Sequence, residues 1–491
     1  MTRLKLLPTV RKVGRTALFI LIGCPHLLIL IAVCVGLTIH AVRAWLIPGA
    51  SVGWSPGELI RGVGFQVGLI LLAAFAIAYL LALVYVGMKG HAGLYRRGSW
   101  EAVGRPWIQA VITRDGLRER IDALAATHKL VGPVRREEPR CSPPRRWFYE
   151  SVARADELDL AFDYCVYGPK ATLMPPRETL LRYDAQTRRF EATAVVDAPR
   201  IAIVGVHPCD LHSIALLDDV FARDQHDRHY LDRRASALII GVDCPSTCDS
   251  GAFCRDMGSD SASSGFDIML YPLPASGNGN PVGTRSAADY GVIFGTEAGR
   301  KWLAAAENGS LRDPTFDDER RFERYLEHKA TAFQKRLRVK RQELPGLLAG
   351  SYDSLVWAAT ALRCYSCGSC TLTCPTCYCF DIQDETELAG GKGTRERTWD
   401  SCMLRDFALV AGGHNFRSKA AQRLRHRIYR KGSWIEHRTG MSGCVGCARC
   451  TRACTAHISI VDIFNQLADE RQKTAVASLP GTAPAGGGNG R

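Results

Sequence analysis

The chain lacks the Gly-x-Gly-x-x-Gly turn between strand and helix that seats a dinucleotide pyrophosphate. It also lacks a complete phosphate-binding loop, because Gly391-Lys392 has no glycine at the upstream position that loop requires. No nucleophile–base constellation is visible. Acidic side chains run short, 49 against 63 Lys and Arg in 491 residues, for a net charge of +14. No nucleic-acid module accompanies that charge, so nucleic acid is not an expected partner. These absences leave a chain that neither binds nucleotide itself nor carries an evident reaction centre.

Cysteine, in contrast, is abundant: 19 residues in short, clustered spacings. Such clustering points to metal in a reducing compartment rather than to disulfides. Cys364, Cys367, Cys370 and Cys374 form one run, and Cys444, Cys447, Cys450 and Cys454 a second. Each reads C-x2-C-x2-C-x3-C, a spacing that wraps three thiolates around one face of an iron–sulfur cube. The fourth cysteine of each run ligates the other cube. The spacing therefore assigns Cys364, Cys367, Cys370 and Cys454 to one 4Fe-4S cluster, and Cys444, Cys447, Cys450 and Cys374 to another. Structural zinc favours separated ligand pairs and fits less well.

Two apolar runs, Thr16 to Ile39 and Gly64 to Gly87, each exceed the length needed to cross a bilayer. Arg3, Lys5, Arg11, Lys12 and Arg15 precede the first, and Lys89, Arg96 and Arg97 follow the second; the loop between holds only Arg43 and Arg61. The positive-inside rule then predicts a multi-pass protein of the inner membrane, with lipid as a partner and the bulk of the chain on the cytoplasmic face. His26 and His40 are candidate haem ligands only if another histidine completes the site, since one helix cannot bring both to one iron.

Residues 88–112 read as a juxtamembrane linker, and 113–345 as an α/β domain with a parallel-sheet core. Ile201-Ala-Ile-Val-Gly-Val206 ends at His207-Pro-Cys-Asp210, and Ala237-Leu-Ile-Ile-Gly-Val242 ends at Asp243-Cys-Pro-Ser-Thr-Cys248. Two apolar strands separated by a helix suggest a parallel βαβ unit. Ligands gather at the carboxyl ends of such strands. Cys209, Cys244, Cys248 and Cys254 all fall there and are candidates for a third cluster. Ser261 to Asn280 reads as loop, and Asp317 to Glu343 as a solvated helix. Pro345-Gly346 marks a boundary.

Residues 352–468 read as an α-helical, ferredoxin-like dicluster domain, because the two runs are too far apart for a compact ferredoxin. Ser418 to Lys431 carries Arg423, Arg425, Arg427, Arg430 and Lys431; this is a solvated face, a docking face for an acidic partner, or charge compensation for the cubes. Cys377, Cys379 and Cys402 receive no ligand role. Residues 474–491 read as a disordered tail.

Several motifs fall outside generic cluster spacing: Leu173-Met-Pro-Pro176, Gly205-Val-His-Pro-Cys-Asp-Leu211, Leu238-Ile-Ile-Gly-Val-Asp-Cys244, Cys374-Pro-Thr-Cys-Tyr-Cys-Phe380, Trp399-Asp-Ser-Cys402 and Ala411-Gly-Gly-His-Asn415. With both cysteine runs, they make the chain resemble the iron–sulfur beta subunits of hydrogenase/sulfur reductases, and it is similar to the A subunit of anaerobic sulfite reductase. The resemblance implies a subunit that relays single electrons between an NAD(P)-linked flavoprotein and a catalytic oxidoreductase, with catalysis in the partner. It also implies a functional role for Cys209, Cys244 and Cys254. Electron exchange with membrane quinone and a cluster-based redox sensor are the alternative readings.

Overall fold

The computed structural model describes residues 107–477, apart from 138–144, 185–190, 276–284, 286, 307–308 and 389. The first part of the chain runs β1 (Ala110–Thr113), α1 (Arg114–Ala125), β2 (Lys129–Glu137), β3 (Arg145–Val152), α2 (Lys170–Leu173), β4 (Arg177–Asp184) and β5 (Glu191–Ala194). It continues through β6 (Ile201–Val206), α3 (Pro208–Ala222), α4 (Arg228–Ala235), β7 (Ala237–Val242), β8 (Ile268–Leu273), β9 (Asp289–Phe294), α5 (Glu297–Ala304), β10 (Leu311–Arg312) and α6 (Phe316–Thr331).

One eight-stranded sheet has the order β10-β1-β9-β8-β7-β6-β2-β3. Its centre is parallel, β2 with β6, β6 with β7 and β7 with β8. β6 and β8 are buried along their whole length, so their apolar runs do not alternate. Ile201, Ile203 and Ile239 pack on one face with Leu211, Ile214 and Leu217 of α3. Ala202, Val204 and Ile240 pack on the other with Leu117, Ile121 and Leu124 of α1.

The second part runs α7 (Leu344–Ala349), α8 (Val356–Ala361), α9 (Ser369–Leu372), β11 (Phe380–Thr386), β12 (Lys392–Trp399), α10 (Ala420–Tyr429), α11 (Ile435–Thr439), α12 (Arg449–Arg452) and α13 (Ile460–Ala477). A five-residue π turn, Arg430–Trp434, joins α10 to α11. Leu347, Leu348, Leu424, Ile428, Phe464 and Leu467 form its core, which Phe253 and Met257 of the β7–β8 connection also enter. A four-stranded antiparallel sheet, β11-β12-β4-β5, is built half from each part of the chain. Buried Arg397 of β12 locks it, pairing with Glu178 of β4 at 2.5 Å and with Asp227.

Three expectations are corrected. The main sheet is mixed, not parallel: β1, β9 and β10 on one side and β3 on the other pair antiparallel. The charged segment after Asp317 is not a free solvated helix, since Phe322, Tyr325, Arg321 and Lys329 of α6 are buried. The membrane hairpin and the inner-membrane location are withdrawn. Among the described residues no helix is long and apolar enough to cross a membrane. The 18-residue α13 carries Asp462, Asp469, Glu470, Arg471 and Lys473. The stretches 16–39 and 64–87, with His26 and His40, lie outside the described residues.

Candidate metal centres

The two cysteine runs fold alike. Ser366 and Gly446 hold positive φ, 53° and 66°, as do Gly368 and Ala448, 82° and 59°. Those turns aim the amide of Ser366 at Cys364 Sγ and that of Gly446 at Cys444 Sγ, both at 3.4 Å. One helical turn follows in each run, α9 and α12, and the Cys374 and Cys454 amides bond back to Thr371 and Thr451. Positive φ at Ser366 and Ala448 is backbone strain kept where it positions sulfur.

The runs interleave. Cys370 lies within electrostatic range of Cys364 and Cys454, and of Cys450. Cys444 and Cys447 lie within range of Cys374 and Cys450. Cys367 stands on the exposed rim, bonded to Ser369 at 3.3 Å. The Ile458 amide reaches Cys454 Sγ at 3.3 Å, and the Thr376 hydroxyl reaches Cys374 Sγ at 3.2 Å. Burial pushes the Cys370 thiol up to about 11, and Cys444 and Cys447 to about 12. Buried thiolates therefore need positive charge beside them, which a bound metal supplies.

Cations surround these thiols: Arg427 and Lys431 of the basic segment, and Lys170, which the sequence did not single out. Arg427 is buried between Cys370, Cys450, Cys374 and Cys377, its Nη2 3.4 Å from the Cys370 carbonyl. Its Nε is buried with no partner. A buried donor without an acceptor is costly unless an anion belongs beside it. Lys431 is buried near Cys374 and Cys444 and donates to Thr376 Oγ1 at 2.6 Å. Lys170, from distant α2, donates to the Cys374 and Cys377 carbonyls at 3.3 and 3.1 Å and lies over the Trp399 ring. Burial pulls its amine down to about 8. The donor set and the orphaned Arg427 nitrogen both fit anionic thiolate-bound clusters.

Cys209, Cys244, Cys248 and Cys254 line one pocket with His207, Tyr164, Cys447 and Arg449. Cys209 lies in the first turn of α3, and Cys244 follows β7, as the strand-end rule requires. Cys248 accepts from Cys244, which holds its thiol well down, aided by Arg285 and His207. Arg285 Nη2 is 3.6 Å from Cys248 Sγ. His207, stacked on Phe162, brings a ring nitrogen within 4.8 Å of Cys244 and Cys248 sulfurs. The sequence reading passed over His207, although it opens the His-Pro-Cys-Asp motif.

This pocket is bolted to the second run. Arg449 donates to both Asp210 carboxylate oxygens at 2.7 and 2.8 Å, with both residues buried. The Phe253 amide donates to the Gly446 carbonyl at 2.8 Å, and Ser259 Oγ to the Val445 carbonyl at 2.6 Å. Asp243, beside Cys244, is held by Tyr325 at 2.7 Å and Lys329 at 2.5 Å of α6.

Residues 363–458 match the model of a 4Fe-4S dicluster domain. The chain is also similar to sulfhydrogenase 2 subunit beta of Pyrococcus furiosus, with 33% identity over 352 residues that cover 72% of this chain and 96% of that protein. Identity at that level over nearly the whole relative places this chain in the family of iron–sulfur beta subunits to which the sulfhydrogenase protein belongs.

Proposed function

We propose that the chain is the electron-relay subunit of a multi-subunit oxidoreductase. One cube is held by Cys364, Cys367, Cys370 and Cys454, a second by Cys444, Cys447, Cys450 and Cys374, and a third by Cys209, Cys244, Cys248 and Cys254. Clusters bound there supply one-electron transfer at potentials set by charge, hydrogen bonds and exposure. The protein's own groups do the rest. Amides at Cys364, Cys444 and Cys454 point donors at sulfur, and the Thr376 hydroxyl lies against Cys374 Sγ. Arg427 and Lys431 offset the buried negative charge. The exposed rim at Cys367 gives one partner a short approach. The partners are a flavoprotein linked to NAD(P) and a catalytic subunit of hydrogenase or sulfur/sulfite reductase type.

The observation that carries this reading is the interleaving of two distant cysteine runs around Arg427, whose buried Nε has no acceptor. Iron and sulfide analysis with EPR on anaerobically purified protein tests it. About twelve irons per chain is the expected result, four per cube. About eight would remove the third site, and zinc without a reducible paramagnetic species would end the relay reading.

A further inference from the structure

Cys377, Cys379 and Cys402 lie beside the cysteine runs but outside the three proposed ligand sets. Cys377 shares a hydrogen bond with Cys374 and so belongs with the second ligand set. Cys379 and Cys402 do not. They flank the open end of the β11–β12 hairpin, where Phe380 pairs with Trp399. The Asp400 amide extends the ladder to the Cys379 carbonyl at 3.0 Å. The chain then turns and brings both the Cys402 thiol and its amide to the Cys379 sulfur.

That turn is fixed to the first cysteine run. Ser401 Oγ meets Thr371 Oγ1 at 2.5 Å and accepts from the Met403 amide at 3.1 Å. Thr371 directly follows Cys370, one of the first cube's proposed ligands. Cys402 is buried and Cys379 half-buried, so solvent lies on the Cys379 side of the pair. Arg430 lies near both, with Lys431 near Cys379 and Arg427 near Cys402. A further cube at this spot would need more thiolates, and the neighbouring Cys377 is turned to Cys374.

We propose that Cys379 and Cys402 form a redox-active dithiol that stores an electron pair beside the clusters. On oxidation both S–H bonds break and one S–S bond forms. Two protons leave to water past half-buried Cys379. Two electrons leave singly to one-electron acceptors, the oxidised iron–sulfur clusters on the flanking cysteines. Reduction reverses each step. The acceptors rest on the relay reading; the dithiol is independent of it. A chain of one-electron sites cannot hold a pair at one place, whereas this couple matches them to a two-electron donor such as a dihydroflavin.

The full-length holoprotein would be poised anaerobically at a series of potentials, acid-quenched, alkylated and digested. Mass spectrometry should find a Cys379–Cys402 cross-linked peptide in the oxidised sample and two alkylated thiols in the reduced one. Reductive titration should take two more electrons per chain in the wild type than in Cys402→Ser or Cys379→Ser, at unchanged iron content. No cross-linked peptide while EPR shows intact clusters, or equal electron uptake, would overturn the proposal. So would loss of about four irons in either variant, which would make these thiols cube ligands. Iron-free wild-type protein would instead sink the relay reading, and the cross-link alone would then decide the dithiol.

Discussion

Replacing Arg427 with glutamine should lower the reduction potentials of both proposed cubes. The guanidinium is buried and within range of Cys370 of the first ligand set and of Cys450 and Cys374 of the second. A positive charge favours the more negative, reduced cluster, so its removal makes reduction harder. At about 7 Å and an effective dielectric near 20, a unit charge is worth roughly 2.4 kcal/mol. For a one-electron couple that is about 100 mV. Because the group is buried, salt should change the shift little. Lys431→Met provides the contrast. Of the cube ligands, those acting most strongly on Lys431 are Cys374 and Cys444, both of the second set, so the second cube should fall by a comparable amount and the first by less. EPR-monitored potentiometric titration of both variants reads the shifts directly. If Arg427→Gln keeps its iron and moves neither potential by more than about 20 mV, a fifth of the shift worked above, the placement of this charge between two cubes is wrong.

Further outcomes follow from the packing and from one titrating histidine. Asp210→Ala strands buried Arg449 and should cost about 3–5 kcal/mol in anaerobic denaturant unfolding, while Asp210→Ala with Arg449→Met should recover part of it. Gly446→Ala places a Cβ 2.6 Å from the Cys254 backbone nitrogen at φ 66°, so it should lose more than the roughly 1–2 kcal/mol of left-handed strain alone and weaken iron retention. Gly412→Ala, at φ 87° with open space, should cost only the strain and keep all iron. His426 is held down to about 4, by burial first and then by Arg417 and Arg430, so the folded state keeps it neutral. Its stabilising contribution is complete above about pH 6.5 and is lost as pH falls from there towards 4, because the unfolded chain binds the proton first. The wild type should therefore lose more stability over that window than His426→Gln, read by unfolding midpoints at each pH.

The cysteine runs were legible because their spacing is local: within each run the turn that aims an amide at sulfur spans three residues. The two strands that lead to Cys209 and Cys244 were legible as buried apolar runs, and they pair in parallel as expected. Apolar runs do not encode direction, so β9 and β10 returning antiparallel could not be read from them. β8 fell within a segment read as loop, where Pro272 argues against a central strand. The β11–β12 hairpin escaped because its strands are charged and β11 is exposed throughout; it is held by polar pairs, above all those of buried Arg397 with Glu178 and Asp227, not by an apolar face. The basic segment left a solvated face, a docking face and charge compensation open, and burial beside the thiols favours the last for Arg427 and Lys431. Lys170 and the Arg449–Asp210 pair join residues more than 200 positions apart, which no local pattern can show.

Those long-range links decide how far the third thiol set can stand alone. Asp210 sits one residue after Cys209, and its carboxylate is neutralised by Arg449 from between Cys447 and Cys450. Cys254 lies against Gly446, where no side chain fits. Both contacts place the third set beside Cys447 of the second cube's proposed ligands. Without the second run, Asp210 would be a buried carboxylate with no cation, and the segment carrying Cys254 would lose the backbone it packs on. The α/β pocket and the dicluster region therefore assemble as one unit. In the proposed relay this fixes an order, with the first cube nearest the exposed Cys367 rim and the third set beyond the second.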